Sequence, residues 1–474
     1  MVMIRIPSVR NDSWARPALR ILLPLAFVVL LVPSLLFSAN PKNWKAGLAK
    51  IPITPQESIW MGGYSARSKP SEGTYEELYA KALALEDQSG RRAVFVTTDL
   101  VGMPASLTRK VAERVQKQYN LPRDRLLLNS SHTHCGPVVA SDYLFYDMPA
   151  DQLSRVENYT SALEDKLVAV IGEALNHLEP ARLSFGRTEA GFAMNRRENQ
   201  GRGLIDLKNA KGPVDHEVPF LRIEGKHGKL RGVVFGYACH NTTLGPTFCQ
   251  FYGDYAGDAQ KWLEEHNPGA LALFVAGCGG DANPYPRENV DFARQHGEEL
   301  ATAVEMALRG SMQTVSGPLK TAWEEFPVQF APPPTREELQ KRLSSNSIYV
   351  RKHAQAMLDI LDREGRLPTE YPYSLEVWQF GRDLTLVAMA GEVVVDYALR
   401  LKKELGPGNV WVAGYCNDVF AYIPSLRVLR EGGYEGGDAM IYYGQPGPFA
   451  PSIEETVVGK VHELVQRLCP NTRF

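Results

Sequence analysis

Apolar runs that end in a cluster of polar residues recur along this 474-residue chain. Residues 78–86 and 92–98 are two of them, separated by Gln88-Ser89-Gly90. They predict strands joined by a turn, the second ending at Asp99. Residues 125–131 pass from Leu126-Leu127-Leu128 to Asn129-Ser130-Ser131 and run into His132-Thr133-His134-Cys135-Gly136-Pro137. Side chains two apart share one face of a strand, so His132 and His134 project together where Gly136 and Pro137 open a loop. Strands are predicted over 218–223 and over 230–238, the second delivering His240. Three more, over 271–276, 384–389 and 410–414, lead to Asp281, to Glu392 and to the 417–422 loop.

Helical spacing lies between these runs. It covers 107–119, 292–308 and 392–405, and it is strongest over 156–178, where Leu163, Leu167, Ile171 and Leu175 make one core-facing stripe. Thr335 and Glu338 form a capping box that predicts a polar helix to about residue 363, after a boundary at Pro332-Pro333-Pro334. Residues 191–213, rich in Gly, Asn and Arg, predict an exposed loop with Arg196 and Arg197 in solvent, and Asp254 and Asp258 fall in a turn region. Strands alternating with helices predict an α/β fold with mixed, largely parallel sheets flanked by helices. In such folds a site forms at the carboxyl ends of the strands.

Composition narrows the function classes. The formal net charge is −2, so no basic excess favours a nucleic-acid partner. Arg5, Arg10, Arg16 and Arg20 precede an apolar run over 21–37 and then Ser38-Ala39. Residues 1–39 therefore read as a signal peptide or an N-terminal membrane anchor, with an exported folded domain over 40–474. The six cysteines have no CxxC spacing. Cys239 and Cys249 could close a short loop, or Cys135 and Cys239 could pack as free thiols beneath the histidines.

Several strand ends carrying His, His, Glu and Asp point to a shared site. Two His and one Glu form a familiar catalytic zinc set with a position open to water. No GxSxG elbow is present, and Gly136 stands where an HxHxDH metal motif needs Asp. Gly277-Cys278-Gly279-Gly280-Asp281 lacks the Gly-Lys-Ser/Thr ending of a P-loop. A thiol hydrolase using Cys135 or Cys278 stays open.

The segment Ser131–Pro137 is similar to the THTHSGP motif of the neutral ceramidases. Asn195-Arg196 resembles their NRSP segment, and Tyr237–Leu244 resembles their second histidine motif. Gly280–Pro284 sits where they carry GDVSPN, Ala390-Gly391-Glu392 resembles their PGE motif, and 417–425 resembles the loop holding their tyrosine ligand. These motifs run in collinear order over roughly 46–444. The resemblance implies a zinc amidase in which His132, His240, Glu392 and Tyr422 hold the metal. It implies that His134 contacts the substrate and moves a proton, and that Arg196 lies across the pocket near the developing oxyanion. Asp281 and Asn283 would line the mouth. The implied partner is a lipid-like amide such as ceramide, with a membrane surface as a further one. Asn283 replaces the family serine, and the 52 residues after Tyr422 (474 − 422) are too few for the immunoglobulin-like domain those enzymes carry. An esterase or other amidase on the same scaffold is the alternative reading, as is a membrane-tethered binding protein without activity.

Overall fold

Both faces of the central strands are buried, which is why they read as unbroken apolar runs rather than alternations. On the strand at 92–98, Ala93 and Phe95 pack to one side, and Val94 and Val96 to the other. The computed structural model describes residues 44–139, 148–197, 210–406 and 408–470. The leader expected over 1–39 lies outside them.

The described chain opens with an antiparallel meander, β1 (Trp44–Pro52), β2 (Tyr79–Glu86) and β3 (Arg92–Thr98). Helix α1 (Ala105–Tyr119) crosses over to β4 (Leu126–Ser130), which lies parallel to β3. Helix α2 (Ala150–Asn176) leads to β5 (Glu179–Glu189) beside β1, then to the short β6 (Ala193–Asn195). The hairpin β7 (Glu217–Glu224) and β8 (Leu230–Tyr237) follows. Helix α3 (Asp254–His266) then crosses to β9 (Leu271–Ala276), parallel to β8. β10 (Ala282–Pro284) pairs with β6; after α4 (Val290–Leu308), β11 (Gln313–Val315) pairs with β5.

A second sheet contains β12 (Leu319–Gln329), β13 (Glu370–Phe380), β14 (Leu384–Met389) and, beyond the two-residue β15 (Glu392–Val393), β16 (Val410–Ala413). Helices α5 (Arg336–Arg342) and α6 (Ile348–Glu364) lie between β12 and β13, and α7 (Val395–Glu404) precedes β16. The chain ends through β17 (Tyr422–Ile423), α8 (Leu426–Glu431), α9 (Gly433–Gly436), a 3₁₀ turn at Asp438–Tyr443 and α10 (Ile453–Leu468). The two sheets face each other through Trp44, Phe95, Leu183 and Leu273 on one side and Trp378, Leu386 and Trp411 on the other. Helices α1 to α4 cover the outer face of the first sheet, and α7 and α10 cover that of the second. Among the described residues no helix is long and apolar enough to cross a membrane.

The class is the expected one, a large mixed sheet with helices packed on it. Its pairing corrects the expectation of largely parallel sheets. The parallel pairs are β3–β4, β8–β9, β14–β16 and β15–β17, and the other described pairs are antiparallel. Turns at 87–91, 225–229 and 381–383 are too short for anything but hairpins, whereas α1, α3 and α7 each provide a crossover.

Three further expectations change. The helix expected from 335 to 363 is two helices, because Ser347 caps a new one; the Thr335–Glu338 box is present. Asp254 and Asp258 lie on α3 rather than in a turn. Of the loop expected at 191–213, residues 193–195 form β6, and Arg197 is buried among ion pairs; residues 198–209 lie outside the described set. All six cysteines are free, and the loop closure open to Cys239 and Cys249 is not made, because the two pack in different core clusters.

Candidate metal centre

β4 and β9 stand at opposite ends of the strand order in the nine-stranded sheet, yet they meet. Asn129 Oδ1 accepts from Ala276 N at 3.0 Å, and its Nδ2 donates to Gly414 O at 2.8 Å. Gly277 also bridges Ala413, so the second sheet joins at the same seam. The loops that leave β4, β8, β9, β14 and β16 are thereby brought to one place. These are the strands of the parallel pairs, so the site does sit at parallel carboxyl ends.

Local backbone geometry aims the side chains. His132 has φ +61°, a left-handed conformation unusual for a residue with a Cβ. Its ring lies 4.4 Å from that of Tyr415. Gly391 has φ +80°, and a Cβ there would meet Ala421 O at 2.8 Å. Glycine thus lets β15 lie against β17, which sets Glu392 beside Tyr422.

His132 Nδ1 lies 2.5 Å from Val101 O, and His240 Nδ1 lies 2.7 Å from Gly279 O. A carbonyl only accepts, so each Nδ1 carries the proton and each Nε2 keeps its lone pair. Those two lone pairs face Glu392 Oε2 at 3.1 and 3.0 Å, and Oε2 has no hydrogen-bond donor. Burial, aided by Arg196, holds His240 down at about 4. Two imidazole nitrogens and one carboxylate oxygen thus converge, with each imidazole Nδ1 already taken by a backbone carbonyl, an arrangement that a cation would satisfy.

Tyr422 Oη lies 3.2 Å from His240 Nε2. The separations resemble the roughly 3.3 Å edge of a tetrahedron with zinc–ligand bonds of about 2.0 Å. Burial and the nearby Glu392 push the Tyr422 phenol well above its ordinary value. His134 Nε2 lies 3.1 Å from His132 Nε2, and the buried His134 Nδ1 has no partner. His132, His134 and His240 form a cluster able to hold a metal. Burial and the neighbouring imidazoles keep His134 neutral, well below its usual pKa. A Cβ on Gly63 would meet the His134 ring at 2.4 Å, so glycine permits this packing.

His132, His134, Glu392 and Tyr422 face a cavity of about 200 Å³ with Tyr64, Val139, Tyr434, Tyr442 and Tyr443. Arg196, expected across the pocket, and Asp281 and Asn283, expected at its mouth, are not among the described residues of its wall. Arg196 spends its guanidinium within the chain, on Glu435 (2.6 Å), Asn283 Oδ1 (3.2 Å) and Tyr422 Oη (3.0 Å). Asp281 is wholly enclosed, and accepts from Val395 N and Asn195 Nδ2. A buried carboxylate needs such donors, and these hold it behind the site. Asp99 binds Tyr79 N and Gln260 in a separate cleft.

The sequence reading missed Glu435 and the tyrosines at 434, 442 and 443. Their visible signal was Gly432-Gly433-Tyr434-Glu435-Gly436-Gly437 and Tyr442-Tyr443-Gly444, tyrosines set among glycines.

Fold and site define a mixed α/β protein with a buried histidine–carboxylate centre at the ends of its parallel strands. The profile of the neutral/alkaline non-lysosomal ceramidase N-terminal region matches residues 44–285. The chain belongs to that family. It is 29% identical over 269 residues to the neutral ceramidase of Pseudomonas aeruginosa, covering 54% of this chain and 39% of that protein. It is 26% identical over 275 residues to the neutral ceramidase of Drosophila melanogaster, covering 55% and 39%. The chain thus spans about two fifths of the length of these relatives. A crystal structure of the Pseudomonas aeruginosa neutral ceramidase shares the fold, with a TM-score of 0.71 at 20% identity over 89% of this chain and 74% of that one. Glu392 and Tyr422 lie beyond the matched segment.

Proposed function

We propose that this protein is an exported zinc-dependent hydrolase that cleaves the linear amide bond of an N-acyl lipid such as ceramide. The observation that carries this reading is the convergence of His132 Nε2 and His240 Nε2 on Glu392 Oε2 at 3.1 and 3.0 Å, with each Nδ1 taken by a backbone carbonyl. In this reading His132, His240, Glu392 and Tyr422 hold the zinc. The leader over 1–39 directs export, and the lipid substrate brings the protein to a membrane surface. A bound zinc supplies Lewis acidity and lowers the pKa of an adjacent water.

The chain's own groups do the rest. His134, neutral and open to the cavity, takes the proton of the attacking water as its oxygen adds to the carbonyl carbon. It returns that proton to the amine nitrogen as the carbon–nitrogen bond breaks, leaving a fatty acid and a free amine. Arg196, fixed by Glu435 and Asn283, orients the Tyr422 phenol rather than reaching the substrate.

Zinc content and release of fatty acid from an N-acyl sphingoid, beside O-acyl analogues, test the reading. A protein that holds no zinc, or that hydrolyses amide after full chelation, defeats it. Ester cleavage without amide cleavage would favour the esterase. His134→Ala should keep zinc and lower kcat by about 10²–10⁴-fold; an unchanged kcat removes His134 from the proton path.

A further inference from the structure

The two oxygens of Glu392 have different company. Oε2 lies 3.1 and 3.0 Å from the Nε2 atoms of His132 and His240, while Oε1 accepts a hydrogen bond from the Tyr443 phenol. The phenol O–H donates, since a carboxylate oxygen can only accept.

Tyr443 ends the 3₁₀ turn at Asp438–Tyr443, and its ring lies 6.2 Å from that of Tyr422. The chain behind it is tied down. Gly444 turns with φ +66°, Gln445 Nε2 donates to Phe420 O at 3.2 Å, and His353 Nε2 on α6 donates to Gln445 O at 2.8 Å. The phenol is therefore held in place from outside the site.

We infer that Tyr443 is a positioning residue of the candidate metal centre: by occupying Glu392 Oε1, it leaves Oε2 alone to face the two imidazoles. A carboxylate with both oxygens free can swing about its stem or offer both to one cation. A donor on one oxygen removes that freedom, and partners of this kind affect metal affinity although they touch no metal. The inference rests on the zinc reading above.

The test measures zinc affinity by competition with a chelator, using zinc alone as the probe and the full chain. Tyr443→Phe is expected to weaken zinc binding by about 10–100-fold. It should also shift the visible spectrum of the cobalt-substituted protein, with the thermal midpoint of the metal-free protein unmoved. Wild-type zinc affinity with an unshifted cobalt spectrum overturns the inference. If the wild type itself binds no zinc, the metal reading fails instead, so the two failures are distinct. Should the Phe variant not fold, Gln445→Ala removes the tie to Phe420 O and lets the Tyr443 phenol move off Glu392 Oε1. Weaker zinc binding in that variant supports the inference, and unchanged binding overturns it.

Discussion

His240→Ala is expected to abolish stoichiometric zinc binding and to lower kcat/KM for an N-acyl substrate by about 10³-fold. The first half follows from geometry. His240 Nε2 lies 3.0 Å from Glu392 Oε2 and 3.2 Å from Tyr422 Oη, so one imidazole faces two other proposed ligands. Alanine leaves Glu392 and His132 to hold a cation with a gap between them. The second half follows from magnitude. Lewis-acid stabilisation is worth several kcal/mol, and each ~1.4 kcal/mol is tenfold in rate. Atomic emission on the purified variant checks the metal, and steady-state kinetics check the rate. Full zinc occupancy in the variant would contradict the ligand set. The wild type should also lose stability in mild acid. Its His240 titrates at about 4 when folded because burial, with Arg196, disfavours the charged ring, against about 6.5 when unfolded. The stabilising preference for the neutral ring is complete above the unfolded value and is lost as pH falls from there through the folded one.

Part of this centre was legible in the chain. His132 and His134 could be paired because the period of a strand is two residues and a Gly-Pro break follows at once. His240 and Glu392 were legible as strand ends, but their meeting was not. It depends on the closure of β4 onto β9 through Asn129, a contact between residues far apart in sequence. Joining them to Tyr422 in advance needed the family resemblance. The tie of Arg196 to Glu435 was not legible, because the two lie 239 residues apart. The strand β12 went unseen because Lys320, Glu324, Glu325 and Pro327 interrupt its apolar pattern, although Leu319, Ala322, Phe326 and Val328 are buried. The expectation of largely parallel pairing followed from strands alternating with helices; the hairpins β2–β3, β7–β8 and β13–β14, set by short turns, make most of the pairing antiparallel.

Glu435→Ala should destabilise the metal-free protein by about 3 kcal/mol, the lower end of the cost of stripping one partner from a buried ion pair. Glu435 bridges two arginines, Arg196 at 2.6 Å and Arg197 at 2.7 Å, and its side chain is 1% exposed beside one of 3% at Arg197. Alanine removes the carboxylate that the two cations share. The lower figure applies because Arg197 keeps Glu431 at 3.1 Å and Gly432 O at 2.9 Å, and because Arg196, at 17% exposure, retains some access to water. Burial works to raise the Glu435 pKa, but Arg196 and Arg197 overcome it and hold it below the ordinary value. A depressed folded pKa means that the wild-type increment is complete above the unfolded value of about 4.3 and disappears as pH falls through the folded one. Urea unfolding at pH 7 and at pH 3 should therefore show a wide gap between wild type and variant at the first and a narrower one at the second. The same substitution frees the guanidinium that donates to Tyr422 Oη at 3.0 Å, so zinc affinity should fall as well. A variant within 1 kcal/mol of wild type at pH 7 would mean that water or a neighbouring carboxylate reaches the two arginines, and that the ties to Glu435 do not hold the 433–436 turn against the site.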